Sequence, residues 1–90
     1  MGTDQYAQPM YYIYVLHCKD GSYYTGSTNN VEKRFKDHLL GKGARYTKSH
    51  KPIEIIYQEE FSTKSEALKR EVEIKNWSRE KKEKLVQSVV

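Results

Sequence analysis

The run Tyr11–Cys18 (YYIYVLHC) is almost unbroken β-branched and aromatic character, which constrains it to a strand covered on both faces. Lys19-Asp20-Gly21 is turn chemistry, and Ser22–Ser27 (SYYTGS) reads as a returning strand, so the two runs form a hairpin. Its register decides which side chains share a face. A two-residue loop at Asp20-Gly21 pairs Tyr14 with Ser27 and puts Tyr14 and Tyr24 on opposite faces. A three-residue loop, Lys19 to Gly21, opposes Leu16 with Tyr24 and Tyr14 with Gly26, and both tyrosines then face the same way. Gly21 suits the left-handed third position of that loop, so the second register is predicted.

Beyond the hairpin, Thr28-Asn29-Asn30 offers helix caps, and Val31, Phe35 and Leu39 recur every four residues as a core face. This helix is expected to end near Gly41. The stretch 41–52 (GKGARYTKSHKP) reads as a basic loop, and Ile53–Phe61 as a third strand. Thr63-x-x-Glu66 is a capping-box pattern opening a helix to about Trp77. Ser78 can cap a last helix through about Gln87, with Leu85 and Val86 as packing contacts. Residues 1–10 show no periodicity and contain Pro9, and read as a flexible tail before a single domain over 11–90. The order β-β-α-β-α-α predicts an α+β fold, a three-stranded antiparallel sheet flanked by helices.

Composition narrows the function classes. Only 37% of the 90 residues are apolar, so the core is small and the surface charged. No run approaches the roughly 20 apolar residues of a membrane span, and the start lacks the order of a signal peptide. The lone Cys18 can form neither an internal disulfide nor a zinc cluster, which points to a reducing, cytoplasmic location. Net charge is +4, and its distribution is more telling than its size. Lys33, Arg34, Lys36, Lys42, Arg45, Lys48 and Lys51 lie in one segment with Asp37 as its sole acid. Such a local excess attracts a polyanion and releases its counterions. Eight tyrosines add groups that contact bases or donate to phosphates.

Four features carry chemistry. Arg34 and His38, four apart, share one stripe of the first helix beside the Val31-Phe35-Leu39 face, where a guanidinium is partly shielded. The plainer reading is a solvated arginine and a surface histidine. On a wheel of about 100° per residue starting at Ala67, Glu71 falls at about 40°, inside the arc of Leu68, Val72 and Ile74. A carboxylate there is costly unless it meets a cation. Lys75, four residues on, is the ordinary partner, and a metal ion or Arg34 is the functional one; helix geometry leaves these open. Tyr14 and Tyr24, taken as isolated strand residues, read most simply as sheet packing.

Taken in order, these pieces resemble a known family. Tyr12-Ile13-Tyr14, then Tyr24-Thr25-Gly26, is similar to the paired motif of the GIY-YIG nucleases. Arg34 and His38 resemble the family's first helix in phage homing endonucleases. Ala67-Leu68-Lys69-Arg70-Glu71, followed by Ile74-Lys75, resembles the helix that supplies the metal-binding glutamate. The similarity runs from about Tyr11 to the end, and is greatest to small single-domain bacterial members. It implies that Tyr14 and Tyr24 are the motif tyrosines, Arg34 the phosphate clamp, His38 a polar assistant and Glu71 the ligand of one divalent cation, Mg²⁺ or another. Gly26 would let the backbone pass close to the site. Tyr12 replaces the glycine of the first motif, Ser27 stands where excision-repair relatives carry lysine, and Thr25 in place of isoleucine is expected to be harmless.

The resemblance further implies a metal-dependent endonuclease that hydrolyses nucleic-acid phosphodiester bonds, with structure-directed cleavage of DNA rather than RNA. Lys33, Lys36, Lys42, Arg45, Lys48 and Lys51 would hold the backbone, and no membrane is involved. One tyrosine would take a proton from the attacking water. A phenol with a pKa of ~10 needs positive charge beside it for that, and either Tyr14 or Tyr24 fits. Two rival classes remain: a nucleic-acid-binding module without turnover, and a protein-interaction module whose basic face only confers solubility. Salt-dependent binding separates the last from the others, and magnesium-dependent cleavage separates the first two.

Overall fold

The structure, a computed structural model, describes residues 10–87; the predicted tail, apart from Met10, lies outside the described residues, as do 88–90. The elements are β1 (Tyr11–Cys18), β2 (Tyr23–Thr28), α1 (Val31–Leu39), α2 (Arg45–Ser49), β3 (Pro52–Phe61), α3 (Lys64–Lys75) and α4 (Arg79–Gln87). They form the expected α+β fold, an antiparallel sheet in the order β2-β1-β3 with helices packed against it. One element was not anticipated. The 41–52 segment holds a short helix, α2, where a basic loop is predicted.

The hairpin adopts the three-residue register, with Tyr14 opposite Gly26 and Leu16 opposite Tyr24. Gly21 takes φ 87°, and its N–H donates to the Cys18 carbonyl at 2.9 Å. The left-handed third position therefore fixes which side chains share a face. β1 is the central strand, and Ile13, Tyr14, Val15 and Leu16 are all buried. Tyr12 lies in the regular ladder between Thr28 and Glu60. No non-glycine residue among those described has positive φ, so the backbone at Tyr12 makes no demand for glycine.

On one face, Ile13 packs with Ala67 and Ile74, and Tyr11, Tyr57, Phe61, Trp77 and Leu85 close around them. Each such aliphatic side chain, fully buried, is worth about 1.5–3 kcal/mol. Thr63 caps α3: its hydroxyl accepts from Glu66 N–H at 3.1 Å and donates to the Glu66 carboxylate at 3.0 Å. Arg70 then ties α3 to the sheet, with Nε and Nη2 donating to the two oxygens of Glu59 at 2.8 and 3.0 Å. Burial pushes the Glu59 carboxyl up, but hydrogen bonds from Arg70 and Tyr57 outweigh it and hold the group below its ordinary value.

Three residues expected on core faces lie outside them: Leu39 is 54% exposed, Leu68 43% and Val72 60%. His38 falls about 20° from Val31 around the helix, whereas Leu39 falls about 80° away. The sheet-facing side of α1 therefore takes the histidine and leaves the leucine outside. On α3 the buried face narrows to Ala67 and Ile74, and Leu68 and Val72 lie beyond its edge. Among the described residues, no helix is long and apolar enough to cross a membrane.

Candidate active site

β2 is an edge strand, so side chains from both faces of the sheet can meet at its rim. They do so around Gly26 and Ser27. Tyr14 extends across Gly26: a Cβ at that position would lie 2.5 Å from the Tyr14 hydroxyl, a clash that any residue but glycine would create. Tyr14 and Tyr24 share this face, with ring centroids 6.3 Å apart. Both also meet His38, at 5.7 and 5.1 Å.

His38 is 1% exposed, not on the surface. Its Nε2 lies 2.7 Å from the Tyr14 hydroxyl and its Nδ1 2.8 Å from Thr47 Oγ1. Burial pushes its pKa down, Arg34 pushes it further down, and Asp37 opposes both. The Arg34 guanidinium donates to the Gly43 carbonyl at 2.6 Å. The Tyr14 phenol is pushed well above its ordinary value, first by burial and then by Tyr24; Arg34 pulls it back down and Glu71 raises it slightly. Tyr24, Arg34 and Glu71 therefore each lie within electrostatic reach of Tyr14.

Glu71 arrives from the opposite side of the sheet. Ser27, next to Gly26, points toward α3 and donates to Glu71 Oε1 at 2.6 Å. The other oxygen meets Lys75 Nζ at 2.8 Å, with the carboxylate side chain only 15% exposed. The ordinary i,i+4 partner is thus present, and Arg34 is not the counter-ion. Lys75 also sits 5.6 Å from the centre of the Tyr24 ring, which joins the two sides of the rim.

A single carboxylate fits a magnesium ion, because that ion is commonly held by one or two carboxylates with waters and substrate phosphate oxygens completing the shell. Among the described residues there is no cluster of three or more His, Cys, Asp or Glu side chains that would favour a zinc-type site. Glu71 is the carboxylate of this cluster that could hold such an ion, and Lys75 already meets one of its oxygens. Beside this group opens a cleft of about 490 Å³, bordered by Ser27, Asn30, Lys33, Arg34 and Lys64. Arg34 and Ser27 border this cleft, while Tyr14, Tyr24 and Glu71 do not line it. Lys33, Lys36, Lys42, Arg45, Lys48 and Lys51 are all exposed on or near α1 and α2. Lys33 is paired with Asp37 at 3.6 Å.

Three contributors escaped the sequence reading. Thr47 and Gly43 complete the setting of His38, and a Cβ at Gly43 would lie 2.1 Å from the His38 ring. Tyr46 stacks on Tyr24 at 5.8 Å. A signal was available in the GKGARYT stretch: one glycine closes the first helix, and the second, Gly43, has no turn to make. Thr25 is 3% exposed, and its hydroxyl has no hydrogen-bond partner among the described residues, which costs stability.

This fold, with phenols, a guanidinium and a carboxylate at the rim of its edge strand, defines a nuclease-type α+β domain. The chain belongs to the GIY-YIG catalytic domain family, whose model matches residues 10–84. It is similar to a UPF0213 protein of Staphylococcus saprophyticus, 58% identical over 76 residues, covering 84% of this chain and 93% of that one. A UPF0213 protein of Staphylococcus haemolyticus is 53% identical over 77 residues, covering 86% and 94%. Two solution NMR structures share the fold. A UPF0213 protein from Bacillus halodurans has 47% identity and a TM-score of 0.57, covering 87% of this chain and 83% of its own. A protein from E. faecalis has 41% identity and a TM-score of 0.60, covering 89% and 85%.

Proposed function

We propose that the chain is a nuclease that hydrolyses phosphodiester bonds with one divalent cation, magnesium, held by Glu71, and that it cleaves DNA by shape rather than by sequence. The observation that carries this reading is the meeting of Tyr14, Tyr24, Arg34 and Glu71 at the rim of β2, reached from both faces of the sheet. Family membership supports a nucleic-acid substrate. The exposed cations of α1, α2 and their flanks suit backbone phosphates, which position a duplex without reading its bases.

Arg34 binds the non-bridging oxygens of the phosphate, since its planar fork matches them and the Gly43 carbonyl holds it in place. When bound, the cation supplies stabilisation of charge on the phosphate and on the leaving oxygen. Ser27 holds the Glu71 carboxylate in position for that role. Tyr14 and Tyr24 line the path of the attacking water. The Lys75–Glu71 ion pair favours a second reading, a binding module without turnover, because the carboxylate already has a cation.

A panel of labelled branched, duplex and single-stranded substrates, with and without magnesium, decides between the two. Magnesium-dependent cutting that Glu71→Ala abolishes and Tyr14→Phe weakens is expected. Salt-sensitive binding with no magnesium-dependent product on any substrate would leave the binding module as the answer.

A further inference from the structure

Among the described residues, three deeply buried polar side chains form a single chain: Tyr14, His38 and Thr47 are 1%, 1% and 2% exposed. Thr47 Oγ1 is 3.1 Å from the Ala44 carbonyl, 2.8 Å from His38 Nδ1, and has one proton to give. A carbonyl can only accept, so with the hydroxyl donating to Ala44 it accepts from His38, the one arrangement that uses both contacts. In that arrangement His38 carries its proton on Nδ1. Its Nε2 is left as a lone pair, 2.7 Å from Tyr14, and the Tyr14 hydroxyl donates to it. Every proton in the chain runs inward, from phenol to imidazole to hydroxyl to carbonyl. Gly43 lets the backbone lie against the imidazole so closely that no other residue fits there.

We propose that Thr47 is a positioning residue: it fixes the His38 tautomer, so that Tyr14 commits its only proton to His38 and faces the site with lone pairs alone. This goes beyond the nuclease reading in assigning a role to the 43–47 segment, and rests on that reading only for its catalytic consequence. An oxygen in this state accepts from Arg34 or from water and cannot donate to either. Tyr14 can take a proton from the attacking water only as its own proton passes to His38 Nε2. In that step the bond from the water oxygen to phosphorus forms and the bond to the leaving oxygen breaks. The leaving oxygen gains a proton from solvent, and His38 returns its extra proton to solvent through Tyr14. Nδ1–H stays bonded to Thr47 throughout, so the imidazole need not turn over.

The tautomer can be read without any cleavage assay, from ¹⁵N chemical shifts and long-range ¹H–¹⁵N couplings of the His38 ring at neutral pH. The wild type should show a protonated Nδ1 and a pyridine-like Nε2. Thr47→Val removes the acceptor and should lose that pure pattern; Thr47→Ser keeps the hydroxyl and should preserve it. Backbone amide spectra of both variants confirm that they fold. With a cleavable substrate, Thr47→Val should lower kcat about 10²-fold with little change in KM, and Thr47→Ser should restore most of it. A wild-type ring protonated on Nε2, or Thr47→Val with wild-type ring signals, would overturn the proposal. So would an unaltered kcat in a Thr47→Val variant whose tautomer had changed. Should no substrate be cut by the wild type, the nuclease reading fails, and the ring signals still decide the role of Thr47.

Discussion

The two faces of the sheet are built on different principles. Under α3 and α4 the interior is apolar: Ile13, Ala67 and Ile74, with aromatic rings around them. Under α1 and α2, next to Leu16, it holds a hydrogen-bonded chain of Tyr14, His38 and Thr47. An apolar contact is non-directional, so the first face gains stability from almost any close packing. A buried polar chain contributes little net stability, but it is costly to disorder, because each member left without its partner loses about 1–3 kcal/mol. The first face holds the fold together, and the second holds geometry. The rim of β2 is where geometry is needed, and Gly26 there leaves the space that the Tyr14 hydroxyl fills.

That division can be broken by experiment. Its largest expected effect is on the polar side: Arg34→Ala should reduce cleavage about 10³-fold, equivalent to about 4 kcal/mol of transition-state stabilisation. Its melting temperature should stay within a few degrees of wild type. An Arg34→Ala chain that unfolds at room temperature would show that the face under α1 also carries the fold. The converse test is Ile74→Ala, which should cost about 3 kcal/mol. For a domain of this size that lowers Tm by about 12–24 °C, while kcat measured well below the new midpoint stays near wild type. A kcat that collapses in the still-folded variant would mean the apolar face tunes the site directly.

Smaller effects sharpen the comparison. Lys75 occupies one oxygen of Glu71, so Lys75→Met should tighten Mn²⁺ binding several-fold, read by isothermal calorimetry or by the free-ion electron paramagnetic signal. Weaker binding would mean that the lysine supports the site instead of competing for it. Acid should act on the polar face through His38, which is faced by Tyr14, Tyr24, Arg34, Asp37 and Thr47. Its folded pKa is depressed, chiefly by burial, so the unfolded chain takes up the proton first as pH falls. Stability should start to drop near the unfolded value of about 6.5 and stop dropping once the folded value is passed. Urea midpoints at pH 7.5 and 5.5 measure this, and the difference should shrink in His38→Gln; an equal drop in both would assign it elsewhere. The smallest change is a gain. Thr25→Val replaces a buried hydroxyl that has no partner among the described residues, and should stabilise the chain by about 1 kcal/mol in denaturant titration.

Local chemistry made much of this legible from the sequence. The hairpin register followed from Gly21, because a three-residue turn sets the pairing of both strands with no help from the rest of the chain. Asn30 and Thr63 likewise mark helix starts through hydrogen bonds spanning three residues, to Lys33 and Glu66. Those rules also put Tyr14 and Tyr24 on one face. The 41–52 segment was less legible, since α2 is barely longer than one turn and has no side-chain cap at Ala44.

The amino-acid order by itself settled the α+β class, the strand pairing within the hairpin and the family, since each depends on neighbours close along the chain or on motif spacing. Tertiary structure alone decided that His38 goes inward while Leu39 stays out, that Thr47 closes the chain from Tyr14, and that Ser27 and Lys75 share Glu71. These are contacts between elements, some joining residues as far apart as Ser27 and Glu71. The inward side of a helix is chosen by what the sheet presents to it, and a hydrogen bond across such a separation exists only once both elements are in place.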